Sequence, residues 1–137
     1  MYSTKIKVRY CETDQMRVVH HANYYNWFEV GRTEFLEDLG YPYAKLEQEG
    51  TMLPVLETHC CYKNSAKYGD ELTIIVKLDY LKGIRTSFSY QVVRESDNKQ
   101  IAEGSTVHTF LDKQFKPVNP SKHCKMFYDI LNNVLNK

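Results

Sequence analysis

A helix that is apolar on several sides limits the folds open to this chain more than any other feature. Residues 23–39 are predicted to form this helix, and its first two turns carry Tyr24, Tyr25, Trp27, Phe28 and Val30. A helix on the surface of a globular protein keeps an apolar stripe on one side only. We therefore expect the N-terminal half of this helix to be enclosed, by a curved sheet and by a partner subunit.

Two glycines refine the prediction for this helix. Gly40 follows the last apolar residue, where a helix often ends on a residue in the left-handed conformation. Gly31 lies in mid-helix, where glycine costs about 1 kcal/mol relative to alanine. A close approach of another backbone or side chain to Gly31 would explain its presence there.

The rest of the chain is predicted to be mostly β-structure. Ile6, Val8 and Tyr10 alternate with basic residues, which predicts a half-buried strand over residues 4–10. Further strands are predicted over residues 52–63, 71–81, 86–94 and 101–111. Their connections are short enough for an antiparallel meander, whereas parallel strands need long crossovers.

A short amphipathic helix is predicted at the C-terminus. Ser121 is expected to cap it, and its apolar positions are Cys124, Phe127, Leu131 and Val134. The whole pattern predicts one α+β domain over residues 1–137, with an antiparallel sheet of about five strands wrapped around the long helix.

Composition excludes several classes of function. Lysine and arginine number 18 against 17 aspartates and glutamates, and the lysines are scattered, which argues against nucleic-acid binding. No run of about 20 apolar residues is present and the N-terminus lacks a secretory core, so we expect a cytoplasmic protein without membrane insertion. The four cysteines form no CxxC pair and are expected to be reduced and partly buried.

The segment of residues 8–32 carries the most chemistry. A loop with Asp14 leads into the predicted helix start, next to His20 and His21. Helix N-termini present unpaired N–H groups, which can hold a carbonyl oxygen as it gains negative charge. Asp14 can then attack the carbonyl carbon or orient a water molecule. A carboxylate with backbone N–H donors is sufficient for thioester hydrolysis, because a thiolate leaves more readily than an amide nitrogen or an alkoxide.

Other interpretations of the same residues compete with this one. A single aspartate in a loop is more often a turn or capping residue than a catalyst. His20 and His21 are adjacent and so do not match the spacing of a metal-binding helix, and we predict neither a metal site nor a cofactor. Glu29 and Arg32 are three residues apart and are interpreted first as a structural ion pair, with an active-site role for Glu29 as the lesser alternative.

The sequence VRYCETDQMRVVHHANYYNWFEVGRTEFL resembles the strand, acidic loop and central helix of acyl-CoA thioesterases of the 4-hydroxybenzoyl-CoA thioesterase type. Weaker similarity continues through YKNSAKYGDELTI and AEGSTVHTFLDKQFKPVNP, so nearly the whole chain is covered. The resemblance implies a hotdog fold and hydrolysis of an acyl-CoA to a carboxylic acid and CoA. It also implies a homo-oligomer, a dimer or a tetramer.

The resemblance also assigns roles to individual residues. Asp14, His21 and Tyr24 are the expected catalytic residues. The resemblance implies Asp14 as the nucleophile or general base and the backbone N–H near His21 as the group that polarises the thioester carbonyl, with Tyr24 along the same cleft. His20 and Asn23 are expected to contact substrate. Arg17 departs from the family, which commonly has glycine at this position, and is expected to affect substrate shape or to contact CoA phosphates or a partner subunit.

Binding of CoA phosphates is expected to use surface cations, with Lys63, Lys82 and Arg85 as candidates. Two alternative functions remain open. The first is a noncatalytic protein that binds acyl-CoA or acyl-carrier protein, its site compromised by Arg17. The second is a hotdog dehydratase, which is less favoured because no dehydratase-like histidine motif is present.

Overall fold

The computed structural model describes every residue from Met1 to Lys137 and contains one five-stranded antiparallel sheet. The strands are β1 (Tyr2–Lys7), β2 (Val55–Tyr62), β3 (Glu71–Lys82), β4 (Arg85–Arg94) and β5 (Lys99–Thr109). Their order across the sheet is β1-β3-β4-β5-β2. The predicted α+β class and the five antiparallel strands are confirmed.

The connectivity of the sheet differs from the prediction at one strand. β3, β4 and β5 form an antiparallel meander, but β2 lies at the far edge and pairs with β5 rather than with β3. The prediction that all the later strands form one meander is therefore wrong. Residues 63–70 connect β2 to β3 and provide enough chain to cross the end of the sheet.

β1 ends earlier than its alternating pattern predicts. Val8 is buried, but residues Tyr10–Glu12 form a 3-10 turn and Tyr10 is 76% exposed. The Arg9 N–H donates to the Glu12 carboxylate at 2.8 Å, a bond that closes this turn instead of extending the strand. The local side-chain bond therefore overrides the strand pattern.

The long helix α1 (Asn23–Asp38) packs across the inner face of the sheet, as predicted. Its sheet-facing residues are buried, and the Phe28 ring stacks on the Tyr90 ring of β4 with centroids 4.4 Å apart. A Cβ at Gly31 would lie 2.6 Å from Val76 Cγ2, which confirms the predicted close approach. Val30 is 40% exposed, so one chain does not enclose the helix on every side.

Gly40 ends α1 in the predicted left-handed conformation, with a φ of +85°. The Gly40 N–H donates to the Glu37 carbonyl, and the Tyr41 N–H donates to the Leu36 carbonyl. These two bonds satisfy carbonyl groups that the last helical turn leaves free.

Three shorter helices complete the fold. They are α2 (Tyr43–Gln48), which the sequence interpretation did not anticipate, α3 (Pro120–His123) and α4 (Lys125–Leu135). Asn119, not Ser121, caps α3, because the Asn119 side chain accepts the Ser121 N–H at 3.0 Å. α4 buries Phe127 and Leu131.

The cysteines are all free, as predicted. Cys124 is buried and Cys60 is half-buried, but Cys11 and Cys61 are exposed, so partial burial was a wrong expectation for those two. None of the helices is long and apolar enough to cross a membrane.

Candidate active site

Asp14 begins a tight loop between the first strand and α1. Its N–H donates to the Val18 carbonyl at 2.9 Å, and its carbonyl accepts the Arg17 N–H at 2.9 Å. Its carboxylate Oδ1 accepts the Met16 N–H, also at 2.9 Å. These bonds fix the carboxylate in the loop and use Oδ1, while no protein donor contacts Oδ2.

A second loop repeats the bonds of the Asp14 loop. Asp112 accepts the Gln114 N–H on its carboxylate at 2.8 Å and the Phe115 N–H on its carbonyl at 3.0 Å. Its own N–H donates to the Lys116 carbonyl. Arg17 and Phe115 occupy equivalent positions, with φ values of 65° and 62°. Turn geometry alone therefore does not distinguish Asp14 from an ordinary turn aspartate.

The left-handed conformation of Arg17 explains why glycine would suit this position. The Arg17 side chain is exposed and forms no ion pair. It does not line the cleft that Asp14 faces.

The turn that leads into α1 leaves one backbone N–H group free. The N–H groups of Asn23, Tyr24 and Tyr25 donate to the carbonyls of residues 20–22, and the Ala22 N–H donates to the His20 ring at 3.3 Å. The His20 N–H donates to the Glu12 carbonyl. The His21 N–H alone among these has no acceptor in the protein.

Glu12 joins the acidic loop to the start of α1, a role that the sequence interpretation missed. Its carboxylate accepts the Trp27 indole N–H at 3.0 Å, and its carbonyl accepts the Asn23 side-chain amide at 2.9 Å. Burial by itself raises the pKa of Glu12, but hydrogen bonds from Arg9 and Trp27 and the Arg9 guanidinium lower the pKa below its ordinary value. No local pattern reveals this role, because Trp27 is distant in sequence.

A cleft of about 350 Å³ lies where this loop, the start of α1 and the end of β2 meet. Its lining residues are Asp14, Met16, Val18, Val19, His21, Tyr24, Tyr62, Lys63, Asn64 and Ser65. The structure therefore brings together the three residues predicted to be catalytic, Asp14, His21 and Tyr24. Tyr62, Asn64 and Ser65 were not anticipated, because the β2 crossover that carries them here was not predicted.

Aromatic rings form one wall of the cleft. The Tyr24 and Tyr62 ring centroids are 5.5 Å apart, and the His21 ring lies 6.1 Å from that of Tyr62. Burial raises the pKa of Tyr24 to about 12. Burial and the neighbouring Cys60 also raise the pKa of Tyr62. Both phenols are therefore neutral at physiological pH and form a largely apolar surface with a polar edge.

The residues predicted to contact substrate are dispersed. His20 stacks on His21 with centroids 4.4 Å apart but does not line the cleft, and Asn23 uses its side-chain amide to hold Glu12. Lys63 does line the cleft and pairs with Glu103 at 3.4 Å.

Lys82 ends β3 and Arg85 begins β4, so both flank the turn at the other end of the sheet. Arg85 pairs across the sheet with Thr109 of β5, whereas Tyr62 of the cleft pairs with Ala102 of the same strand. Ala102 and Thr109 are seven residues apart, or about 23 Å along the strand. Within one chain these two cations do not reach the cleft.

The predicted ion pair between Glu29 and Arg32 is absent, so that prediction is wrong. Arg32 donates instead to the Tyr90 hydroxyl at 3.1 Å, because Tyr90 lies beneath α1 and offers a buried acceptor. Glu29 is exposed and lines a separate cavity of about 120 Å³, not the Asp14 cleft.

The Arg32 contact extends into a buried polar chain. The Tyr90 hydroxyl bonds to Thr106 Oγ1 at 2.6 Å, which bonds to His108 Nε2 at 2.8 Å. His108 Nδ1 lies 3.1 Å from the Leu53 carbonyl. Burial and the Arg32 charge lower the pKa of His108 to about 4, so its ring is neutral at pH 7.

A family model described as the thioesterase-like superfamily matches residues 8–130 of the chain. The chain belongs to this superfamily. The match includes the acidic loop, α1 and the whole cleft. The predicted hotdog fold and the predicted class of enzyme, a thioester hydrolase, are confirmed. No group of three or more histidine, cysteine, aspartate or glutamate side chains is placed to hold a metal ion.

Two of three similar proteins carry the name of a thioesterase. The chain is 37% identical over 115 residues to a putative acyl-CoA thioesterase, YneP, of Bacillus subtilis (strain 168). The aligned region covers 83% of each protein. It superposes on a DHNA-CoA thioesterase from Staphylococcus aureus with a TM-score of 0.93 and 29% identity, over 98% of this chain and 90% of that one. It superposes on a hypothetical protein from Thermus thermophilus with a TM-score of 0.88 and 34% identity, over 96% of this chain and 98% of that one.

Proposed function

We propose that the protein hydrolyses acyl-CoA thioesters in the Asp14 cleft. The observation that carries this proposal is that Asp14 and His21 line the same cleft. Asp14 has one carboxylate oxygen without a protein donor, and His21 has the one free backbone N–H beside the start of α1. The names of relatives such as YneP support acyl-CoA as the substrate class.

The His21 N–H would hold the thioester carbonyl oxygen as it becomes negative during attack. The positive end of the α1 dipole adds to this stabilisation. The neighbouring N–H groups are committed to acceptors in the protein, which leaves the His21 N–H as the donor at this end of the helix.

Asp14 Oδ2 would act in one of two ways. As a general base it takes a proton from water while the water oxygen bonds to the carbonyl carbon, and the C–S bond breaks to release the CoA thiolate. As a nucleophile it bonds to the carbonyl carbon while the C–S bond breaks and the CoA thiolate leaves, and water then hydrolyses the resulting acyl anhydride to free the carboxylic acid and the Asp14 carboxylate. The bond from Met16 to Oδ1 keeps the carboxylate oriented in both routes.

We further propose that two chains associate through β2. This strand is at the edge of the sheet, and its residues are exposed or half-buried on both faces, including Val55 at 44%, Leu56 at 46% and Tyr62 at 48%. An unpaired edge of this kind is suited to pairing with another strand. Antiparallel pairing of two β2 strands would also bring the partner's β3–β4 turn toward the cleft, so a binding role for Lys82 and Arg85 would require the dimer.

The dimer proposal is tested by the mass of the protein in solution, measured by light scattering after gel filtration. Thr58 is near the middle of β2, so a twofold axis there places Thr58→Lys of one chain near the same residue of the other. Repulsion between these charges is expected to yield a monomer. Gln48→Lys, at an exposed position on α2, is the control for the added charge, and a monomeric wild type would refute the proposal.

The rival function is a protein that binds acyl-CoA or acyl-carrier protein without hydrolysing it. Release of free thiol by the wild type, measured over a panel of short, long and aromatic acyl-CoAs, separates the two. Catalytic turnover on at least one member supports the proposed function. Binding of acyl-CoA without turnover on any member would contradict it.

A further inference from the structure

A second cleft, wholly polar in its lining, adjoins the candidate active site. It encloses about 430 Å³ where the connection from β2 to β3 approaches the turn from β4 to β5. Its lining residues are Asn64, Ser65, Lys67, Asp70, Arg94, Ser96, Asp97 and Lys99. We name it the polar cleft.

Arg94 forms ion pairs with both carboxylates of the polar cleft. Its guanidinium donates to both oxygens of Asp97, at 3.1 and 3.0 Å, and to Asp70 Oδ2 at 3.3 Å. It also donates to the Ser65 carbonyl at 3.0 Å. The two carboxylates hold the pKa of Arg94 above its ordinary value, so this cluster stays charged and fixed.

Two lysines are left without ion-pair partners in the same cleft. The ammonium groups of Lys67 and Lys99 form no salt bridge, and both side chains are exposed. Their backbone N–H groups donate to Asp70 and Asp97 at 2.9 and 3.2 Å, which anchors both lysines beside the Arg94 cluster. Three cations against two carboxylates give the lining a net charge of +1, and the two lysines are the cations that form no salt bridge.

The polar cleft continues directly from the Asp14 cleft. Asn64 and Ser65 line both, so an extended ligand can pass from one to the other along the protein surface. The apolar and aromatic walls belong to the Asp14 cleft, whose one cation is Lys63. The other cations, Lys67, Arg94 and Lys99, line the polar cleft. A ligand with an acyl thioester at one end and phosphates at the other matches this division.

We propose that the polar cleft binds the nucleotide end of CoA, with Lys67 and Lys99 contacting its phosphates. This inference rests on the proposed function, because it takes the Asp14 cleft as the site of the thioester. Lysine ammonium groups suit phosphate oxygens, and their attraction is strongest at low ionic strength. The site lies on the same chain as Asp14, in contrast to Lys82 and Arg85.

The test measures the dissociation constant of free coenzyme A by calorimetry, so it does not depend on turnover. The variant Lys67→Ala/Lys99→Ala is expected to weaken binding of coenzyme A about tenfold at low salt, and less at high salt. Both side chains are exposed and the alanines keep the backbone N–H bonds, so the fold is expected to be unchanged. Binding of 4′-phosphopantetheine, which lacks the nucleotide, is expected to change by less than about twofold.

Two further variants complete the experiment. Lys113→Ala/Lys122→Ala removes the same charge from exposed positions outside both clefts and is the matched control. Lys82→Ala/Arg85→Ala tests the alternative location. The proposal is overturned if wild type does not bind coenzyme A, if the Lys67 and Lys99 variant binds it as wild type does, or if the Lys82 and Arg85 variant alone loses affinity.

The remaining outcomes separate this proposal from the proposed function. If the Lys67 and Lys99 variant lost affinity for 4′-phosphopantetheine as much as for coenzyme A, the assignment to the nucleotide would be overturned. The lysines would then contact the phosphate of the pantetheine arm, which carrier proteins also have. A chain that binds coenzyme A through Lys67 and Lys99 but releases no thiol from any acyl-CoA would support the polar cleft and contradict the proposed hydrolase.

Discussion

Glu12→Gln tests whether a buried carboxylate holds the acidic loop against α1. Glu12 is only 5% exposed, and its two oxygens accept from the Arg9 N–H at 2.8 Å and the Trp27 indole at 3.0 Å. A glutamine has one acceptor oxygen, and its NH2 group would face the other donor. One buried donor therefore loses its acceptor, which costs about 2 kcal/mol.

For a chain of this size, a loss of about 2 kcal/mol lowers Tm by about 8 °C. Thermal unfolding followed by circular dichroism at equal protein concentrations measures this shift. Glu47→Gln on α2 is the matched control, since Glu47 is exposed and has no side-chain partner, and its expected effect is within about 0.5 kcal/mol. A Tm for Glu12→Gln within about 1 °C of the wild type would refute the proposed role of Glu12.

The same substitution has a defined pH dependence. Because the folded pKa of Glu12 is below the ordinary value of 4.5, its charged form contributes stability above pH 4.5. This contribution is lost as the pH falls through the folded pKa. The stability difference between wild type and Glu12→Gln is therefore expected to be full at pH 7 and to shrink in acid. A difference that grows as the pH falls below 4.5 would contradict the assigned charge state.

Three other substitutions probe the fold and the loop. His108 has a folded pKa of about 4 against an ordinary 6.5, so the wild type should lose about 3 kcal/mol as the pH falls from 6.5 to 4, and urea titrations should show a smaller loss for His108→Asn. Gly31→Ala should destabilise by about 2 kcal/mol, because the added Cβ would lie 2.6 Å from Val76 Cγ2; an unchanged urea midpoint would contradict that contact. Arg17→Gly should raise stability by up to about 1 kcal/mol, since it relieves a φ of 65°, and a lower Tm would contradict this.

Local patterns in the sequence predicted most of the fold. The aromatic composition of residues 23–39 and the position of Gly40 predicted α1 and its end within one residue. Gly31 predicted a close contact, which Val76 provides. These features succeed because helix periodicity and the preference of glycine for the left-handed conformation act over a few residues.

The errors arose where distant residues decide the outcome. The partner of β2 depends on how eight connecting residues cross the sheet, which alternation along the strand does not encode. Arg32 bonds to Tyr90 rather than to Glu29 because Tyr90 lies beneath the helix in the folded chain. Glu12 was missed for the same reason, since its partner Trp27 is reached only when the loop folds back.

The sequence predicted the residues of the candidate site that come from the acidic loop and the start of α1, but not those that come from β2 and the connection after it. Asp14, His21 and Tyr24 lie together because one short segment carries all three, so their spacing in sequence limits their distance in space. Tyr62, Asn64 and Ser65 come from the opposite edge of the sheet. The cations expected at Lys82 and Arg85 lie at the far end of the sheet within one chain, and their role in binding stays a prediction.

The central claim is that Asp14 acts in catalysis and not only in its turn, and Asp112 provides the control because it makes the same turn outside the cleft. The measurement is kcat and KM for thiol release from the best acyl-CoA substrate, with wild type, Asp14→Asn and Asp112→Asn compared side by side. We predict that Asp14→Asn lowers kcat at least about a hundredfold with a KM within about threefold, while Asp112→Asn leaves both values near those of wild type. A kcat for Asp14→Asn close to that of Asp112→Asn would contradict the account.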